Sequence, residues 1–194
     1  MRTARKNAES QVRRLNWGCG EHTAPGWINA DIKKGPGVDV AGDIRDGLPL
    51  DDDSIDYATS VHALPELPYP DVVPALAELR RVLKPGGVLR LCLPDLDKGI
   101  RAYMQGRDDY FLIPKSDAHS RGGRFILHML WYGYSRTLFT VDFIEELLLR
   151  AGYIDIVECR YRETASAFPE IVEFDNREPE SFYVEATKPA YRRI

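Results

Sequence analysis

Glycines, carboxylates and one histidine fall at spacings in the first hundred residues that could form a ligand site. The run Leu15-Asn16-Trp17 leads straight into Gly18-Cys19-Gly20. A strand that ends in Gly-x-Gly leaves its carboxyl end open, because backbone without side chains lets a ligand come close. Asp31 closes the next strand-like run, Trp27-Ile28-Asn29-Ala30-Asp31-Ile32, and Asp43-Ile44 follows a third. A carboxylate at such a strand end can accept from two neighbouring donors at once. Asp46 competes with Asp43 for the same place. His62, in Ser60-Val61-His62-Ala63-Leu64, is the candidate general base, with a structural histidine as the alternative. Asp95, in Leu93-Pro94-Asp95, either orients a substrate or caps the next helix. The run Asp51–Asp53 reads as a solvated loop.

Alternating strand-like and helix-like segments must position these residues. Strands are expected over 13–17, 27–31, 38–42, 55–60, 87–93, 153–161 and 181–188. A helix over 71–83, with Asp71 as its N-cap, carries the stripe Val72, Leu76, Leu79, Leu83. A second, over 141–151, buries Ile144, Leu147, Leu148 and Ala151. The corner Lys84-Pro85-Gly86-Gly87 ends the first of these helices and opens the apolar run Val88-Leu89-Arg90-Leu91. The alternation predicts an α/β fold, a mostly parallel sheet with helices on both faces. Residues 94–139 break the alternation with glycines, prolines and aromatics, and read as an insertion covering the site. Within it, His119, His128, Tyr110, Phe111, Phe125, Trp131, Tyr132 and Tyr134 are either acceptor-lining or core.

Length and composition bound the class. A chain of 194 residues, 44% hydrophobic and 29% charged, predicts one globular domain over 13–194. Residues 1–12 read as a flexible basic tail. The net charge of −4 argues against wholesale nucleic-acid binding. Cys19, Cys92 and Cys159 are odd in number and widely spaced, which predicts free thiols, no metal site and a cytoplasmic location. Cys92 and Cys159 are expected in the core. The N-terminus lacks an apolar leader, and no apolar run is long enough to span a bilayer.

Together, Leu15–Gly20 and Leu83–Leu91 resemble motif I and the fifth-strand entry of class I S-adenosylmethionine (SAM)-dependent methyltransferases. The chain looks like the methyltransferase type 11 kind, in a compact subgroup with Gly-Cys-Gly…Gly-Trp-x-Asn-x-Asp. The resemblance covers residues 13–93 well and 137–188 more loosely. It implies a seven-stranded Rossmann-like sheet whose last strand inserts antiparallel between the fifth and sixth. The insertion read over 94–139 falls between strands five and six of that sheet. SAM would be held by Asn16, Gly18, Cys19, Gly20, Asp31, Ile32, Asp43, Ile44, Ser60 and Val61, with S-adenosylhomocysteine as product. In the family's pattern Asp31 accepts from both ribose hydroxyls, Asp43 meets the adenine amino group, and Ile44 packs on the ring. Only residues 21–30 separate Gly20 from Asp31, too few for an ordinary helical crossover, so the first helix must be shortened or absent. Dinucleotide binding needs that helix N-terminus for its pyrophosphate, whereas SAM has no phosphate. The acidic surroundings add to this contrast, since they repel a pyrophosphate and tolerate a sulfonium. The expected activity is methyl transfer to a small-molecule or saccharide-like acceptor, as O-methylation. The rivals are a SAM-fold binding module without catalysis and a nucleotide-dependent oxidoreductase.

Overall fold

The computed structural model describes residues 12–190, and the basic tail expected before them lies outside the described residues. Seven strands form one sheet: β1 (Arg14–Trp17), β2 (Ile28–Asp31), β3 (Val40–Ala41), β4 (Ile55–Val61), β5 (Leu83–Pro94), β6 (Ile154–Cys159) and β7 (Ser181–Thr187). Their order is β3-β2-β1-β4-β5-β7-β6. Neighbours from β3 to β5 are parallel, with Leu15 opposite Ile28 on one side and Ala58 on the other. Strand β7 runs antiparallel to both β5 and β6, the arrangement implied by the resemblance. From β1 the chain steps to β2 on one side, and β4 lies on the other. Such a switch point opens a crevice at the carboxyl ends of the strands.

Four α-helices accompany the sheet: α1 (Tyr69–Val82), α2 (Leu96–Met104), α3 (Arg121–Leu130) and α4 (Val141–Arg150). Helix α1 starts two residues before the expected point. Pro68 precedes it without a side-chain cap, and Asp71 lies in the first turn instead. Pro70 accounts for the shift, because its fixed φ and missing N–H suit the start of a helix. The Lys84–Gly87 corner, expected between helix and strand, lies inside β5, which begins at Leu83 directly after α1. A side chain at Gly87 would meet the Lys84 and Asp56 carbonyl oxygens at 2.8 and 2.9 Å.

The two faces of the sheet are covered differently, which corrects the expectation of helices on both. Leu15, Leu89, Leu91, Phe182 and Val184 point to one face and join the apolar stripes of α1 and α4 in the main core. On the other face Trp27, Tyr57 and Val88 join Ile171 in a second cluster, flanked by Phe168, Val172 and Phe174. These last residues belong to the irregular β6–β7 connection. The reason is the composition of that face. Alternation places Arg90 there, fully buried, where it donates to Asp175 and Glu185 at 2.6–2.8 Å and to the carbonyl of Glu163. An apolar helix could not satisfy a buried guanidinium, while an irregular chain offers free carbonyls and carboxylates.

No helix lies between β1 and β2 among the described residues. A polar network anchors that loop instead. Asn16 Nδ2 donates to His22 O and Asn29 Oδ1, and Asn29 exchanges hydrogen bonds with the backbone of Ala24. The inserted lobe leaves the sheet at Asp95 and returns at Phe139, and a parallel bridge joins those two residues. Of the cysteines expected in the core, Cys92 is buried, whereas Cys159 is half-buried because β6 is an exposed edge strand.

Candidate functional site

The crevice at the carboxyl ends of β1, β2 and β4 holds a cavity of about 480 Å³, whose walls include Gly18, Gly20, Asp31, Ile32, Asp43, Ile44, Val61 and His62. That volume falls within the roughly 300–1,000 Å³ of small-molecule sites. Each wall has a local cause. Gly18 and Cys19 donate their N–H groups to Ala30 O, which fastens the turn after β1 to β2. Gly18 sits at φ +70°, and a side chain there would fall 2.1 Å from Ala63 Cβ. Gly20 faces open space, with nothing within 4 Å of where a Cβ would stand.

Asp31 holds the site's geometry. One carboxylate oxygen accepts from Gly20 N and the other from Lys33 N, both at 2.9 Å. Each oxygen keeps a further lone pair for donors from a ligand. Ile32 beside it is 59% exposed, an apolar side chain that a bound ring would cover. Asp43 is engaged already. It caps the turn Ile44–Asp46 and accepts from the backbone and guanidinium of Arg45, which hold its carboxyl below the usual range.

Three other expected cofactor residues stand elsewhere. Asn16 is buried in the loop network, and it and Cys19 line a small cavity of about 90 Å³ that shares Gly18, Val61 and His62 with the large one. Burial, then the charge of Asp31, pushes the Cys19 thiol up to about 11, so it stays protonated. Ser60 is buried without a hydrogen-bond partner for its hydroxyl, and is absent from the cavity wall. The rim is not predominantly acidic either. Asp31, Asp43 and Glu66 are matched by Lys33, Arg45 and Arg136, while Asp39 is turned to Asn29 and Asp52 to Arg81. The electrostatic contrast expected from the sequence is therefore lost. The missing helix N-terminus remains as the argument against a pyrophosphate.

A second compartment of about 140 Å³ adjoins the first, and His62, Glu66 and Tyr134 line both. Its other walls include His128 and Trp131 of the inserted lobe and Arg177 and Glu180 of the β6–β7 connection. Glu180 Oε1 accepts from Arg177 at 3.0 Å, and its Oε2 lies 3.4 Å from His128 Nε2. The Arg177 guanidinium sits over the Trp131 ring at 5.5 Å. His62, Trp131 and Arg177 all adopt positive φ, between +43° and +57°. Such backbone costs energy in non-glycine residues and clusters where a site needs it.

His62 Nε2 lies 2.7 Å from Ser181 Oγ, at the start of β7. Desolvation, then the charges of Arg177 and His128, pull its pKa down to about 3. Asp95 caps α2 by accepting from Lys98 N at 2.9 Å, and lines neither compartment. Sequence reasoning missed Arg177 and Glu180. Both sit in a stretch without hydrophobic periodicity, and only the fold brings them to His62.

Residues 15–91 match the family model described as "Methyltransferase domain". Demethylmenaquinone methyltransferase of Staphylococcus carnosus is 44% identical over 72 residues, 37% of this chain and 28% of that protein. The chain spans less than a third of the curated relatives it matches. A SAM-dependent methyltransferase structure from Thermotoga maritima aligns over 91% of this chain and 82% of its own, at 22% identity and a TM-score of 0.59. One from Mesorhizobium loti aligns over 91% and 90%, at 22% identity and a TM-score of 0.53. The strand order and the structural likenesses give the chain the Rossmann-like fold of SAM-dependent methyltransferases, and its residues 15–91 are similar to their methyltransferase domain.

Proposed function

We propose that this protein transfers a methyl group from SAM to a small hydroxyl-bearing, saccharide-like acceptor. The observation that carries the reading is the shared wall: His62, Glu66 and Tyr134 line both the large cavity and the small compartment. Donor and acceptor would meet there. When bound, SAM supplies an electrophilic methyl group on a sulfonium. The chain supplies alignment and exclusion of water. The residues present fit that ligand. Asp31 keeps lone pairs for ribose hydroxyls beside Gly20, and the exposed face of Ile32 is ready for the adenine.

In the small compartment, Glu180 and Arg177 offer hydrogen bonds to a polyhydroxy acceptor, and Trp131 offers an apolar edge. His62 is neutral at physiological pH, and a base whose pKa lies near 3 is far from the optimum for abstracting protons. We assign it to orienting the acceptor hydroxyl, with Ser181 fixing the ring, while Glu66, whose carboxyl burial pushes up, takes the hydroxyl proton as the methyl group leaves the sulfur. Three free thiols fit the reducing cytoplasm as its compartment.

Calorimetric titration with S-adenosylhomocysteine, with NAD in parallel, tests the cofactor. Binding of the first alone supports the reading, and binding of NAD alone overturns it in favour of an oxidoreductase. Transfer of a labelled methyl group to candidate sugars then separates an enzyme from a binding module.

A further inference from the structure

Three cavities meet at His62. It lines the large crevice, the small compartment and the cavity of about 90 Å³ that also touches Gly18 and Cys19. The sulfur of SAM carries three substituents: the adenosyl group, the methyl group and an amino-acid chain. The proposed function puts the adenosyl group in the large crevice and aims the methyl group at the compartment of Glu180 and Trp131. The amino-acid chain is left with the 90 Å³ cavity, whose polar groups suit it.

Two consecutive residues of the β6–β7 connection, Asn176 and Arg177, belong to the wall of that cavity. The backbone carbonyl of Asn176 accepts from Tyr183 Oη at 2.6 Å and from Cys92 Sγ at 3.7 Å, which fastens this stretch to β7 and β5. Its side-chain oxygen is buried and has no hydrogen-bond partner among the described residues. A dry, unpaired acceptor costs free energy, so it marks a place for a donor from outside the chain. Arg177 Nη1 donates to Glu180 at 3.0 Å, and a guanidinium has further N–H groups to give. An acceptor beside a guanidinium complements an ammonium beside a carboxylate, the two charges of an α-amino acid. A bare anion would leave the amide oxygen unpaired, and a bare cation would face the guanidinium.

The glycine turn has no such donors to spare. Gly18 and Cys19 give their N–H groups to Ala30 O, and Gly20 gives its own to Asp31. Nor does a helix N-terminus follow, since no helix lies between β1 and β2 among the described residues. A carboxylate in this cavity therefore draws its donors from the β6–β7 connection.

We infer that the cavity is the subsite for the amino-acid end of SAM, with Arg177 holding the carboxylate and Asn176 Oδ1 accepting from the ammonium. The inference rests on the proposed use of SAM. Calorimetric titration with S-adenosylhomocysteine and with 5′-methylthioadenosine tests it, because the second ligand keeps the adenosyl group and the sulfur and lacks the amino acid. The wild type should bind S-adenosylhomocysteine more tightly, by roughly tenfold or more. Arg177→Gln should weaken S-adenosylhomocysteine roughly ten- to a hundredfold, the range of a hydrogen bond to a charged group, and leave 5′-methylthioadenosine within about twofold. Asn176→Ala should do the same at the lower end of that range. Retained 5′-methylthioadenosine binding also shows that each variant is folded. Equal weakening of both ligands would make the two residues structural and overturn the inference. So would unmoved S-adenosylhomocysteine affinity in Arg177→Gln, which would leave that arginine to the acceptor. Both results keep SAM as the cofactor, whereas a wild type that binds neither ligand overturns the cofactor reading itself.

Discussion

At the crevice, two single side chains can be tested alone. Asp31 ties Gly20 and Lys33 together through both oxygens while facing the cavity. Asp31→Ala should weaken S-adenosylhomocysteine binding by about 1–3 kcal/mol, the scale for leaving polar partners unsatisfied. Calorimetry on a folded variant reads this directly, and wild-type affinity would remove Asp31 from the ribose role. His62 makes a pH prediction. Its pKa is lowered to about 3 in the folded chain, from an ordinary value of 6.5. Below about pH 6.5 the unfolded chain takes up a proton that the folded chain refuses, so stability falls as pH drops towards 3. His128 is shifted in the same direction, by burial first. His62→Gln should therefore lose less stability than the wild type between pH 7 and pH 5. Urea midpoints at the two pH values check it, and identical losses would deny the buried neutral imidazole.

Among the elements, the β6–β7 connection sets this protein apart from a sheet with helices on both faces. It covers the second face, packs the half-buried Phe168 and Phe174 against Tyr57 and Trp27, and delivers Arg177 and Glu180 to the small compartment. Its anchor is Arg90, which pairs with Asp175 and Glu185 in full burial and lies 5.3 Å from the Tyr183 ring. Removing the guanidinium leaves two buried carboxylates without their cation. Arg90→Met should cost about 3–5 kcal/mol by urea unfolding, although methionine is apolar and long enough to fill much of the space. A loss below about 1 kcal/mol would show that the connection does not depend on this ion cluster. The same anchor reaches the site, because the connection that Asp175 fastens continues directly to Arg177 and Glu180.

For the molecule as a whole, binding and folding are linked. A ligand held across β1, β2 and β4 stabilises the native chain by about 2.7 kcal/mol at a hundred times its Kd. In a chain of this size that raises the midpoint by roughly 5–10 °C. S-adenosylhomocysteine should produce this shift in a thermal melt and NAD should not; a shift with NAD alone would reverse the cofactor assignment.

Much of this architecture was readable from local pattern. The seven strands, the last one turned antiparallel by resemblance, the glycine turn and Asp31 at the second strand end all stand where the residues placed them. Periodicity and turn chemistry are local properties, and a chain of short loops leaves them little competition. Other features needed contacts between residues far apart in the chain. Asn16 turned to Asn29, and Asp43, although in the cavity wall, is engaged by Arg45. The rim became balanced because Lys33, Arg45 and Arg136 converge on it, which no run of residues foretells. The cover of the second face went to an irregular segment because Arg90, more than seventy positions away, needs oxygen partners in a dry interior. The sequence by itself thus determined the strands and the glycine turn of the crevice, whose signals are short-range, and its resemblance supplied the strand order. Only the tertiary structure decided the small compartment, because His62, Trp131 and Arg177 meet there through long-range packing that pattern cannot encode.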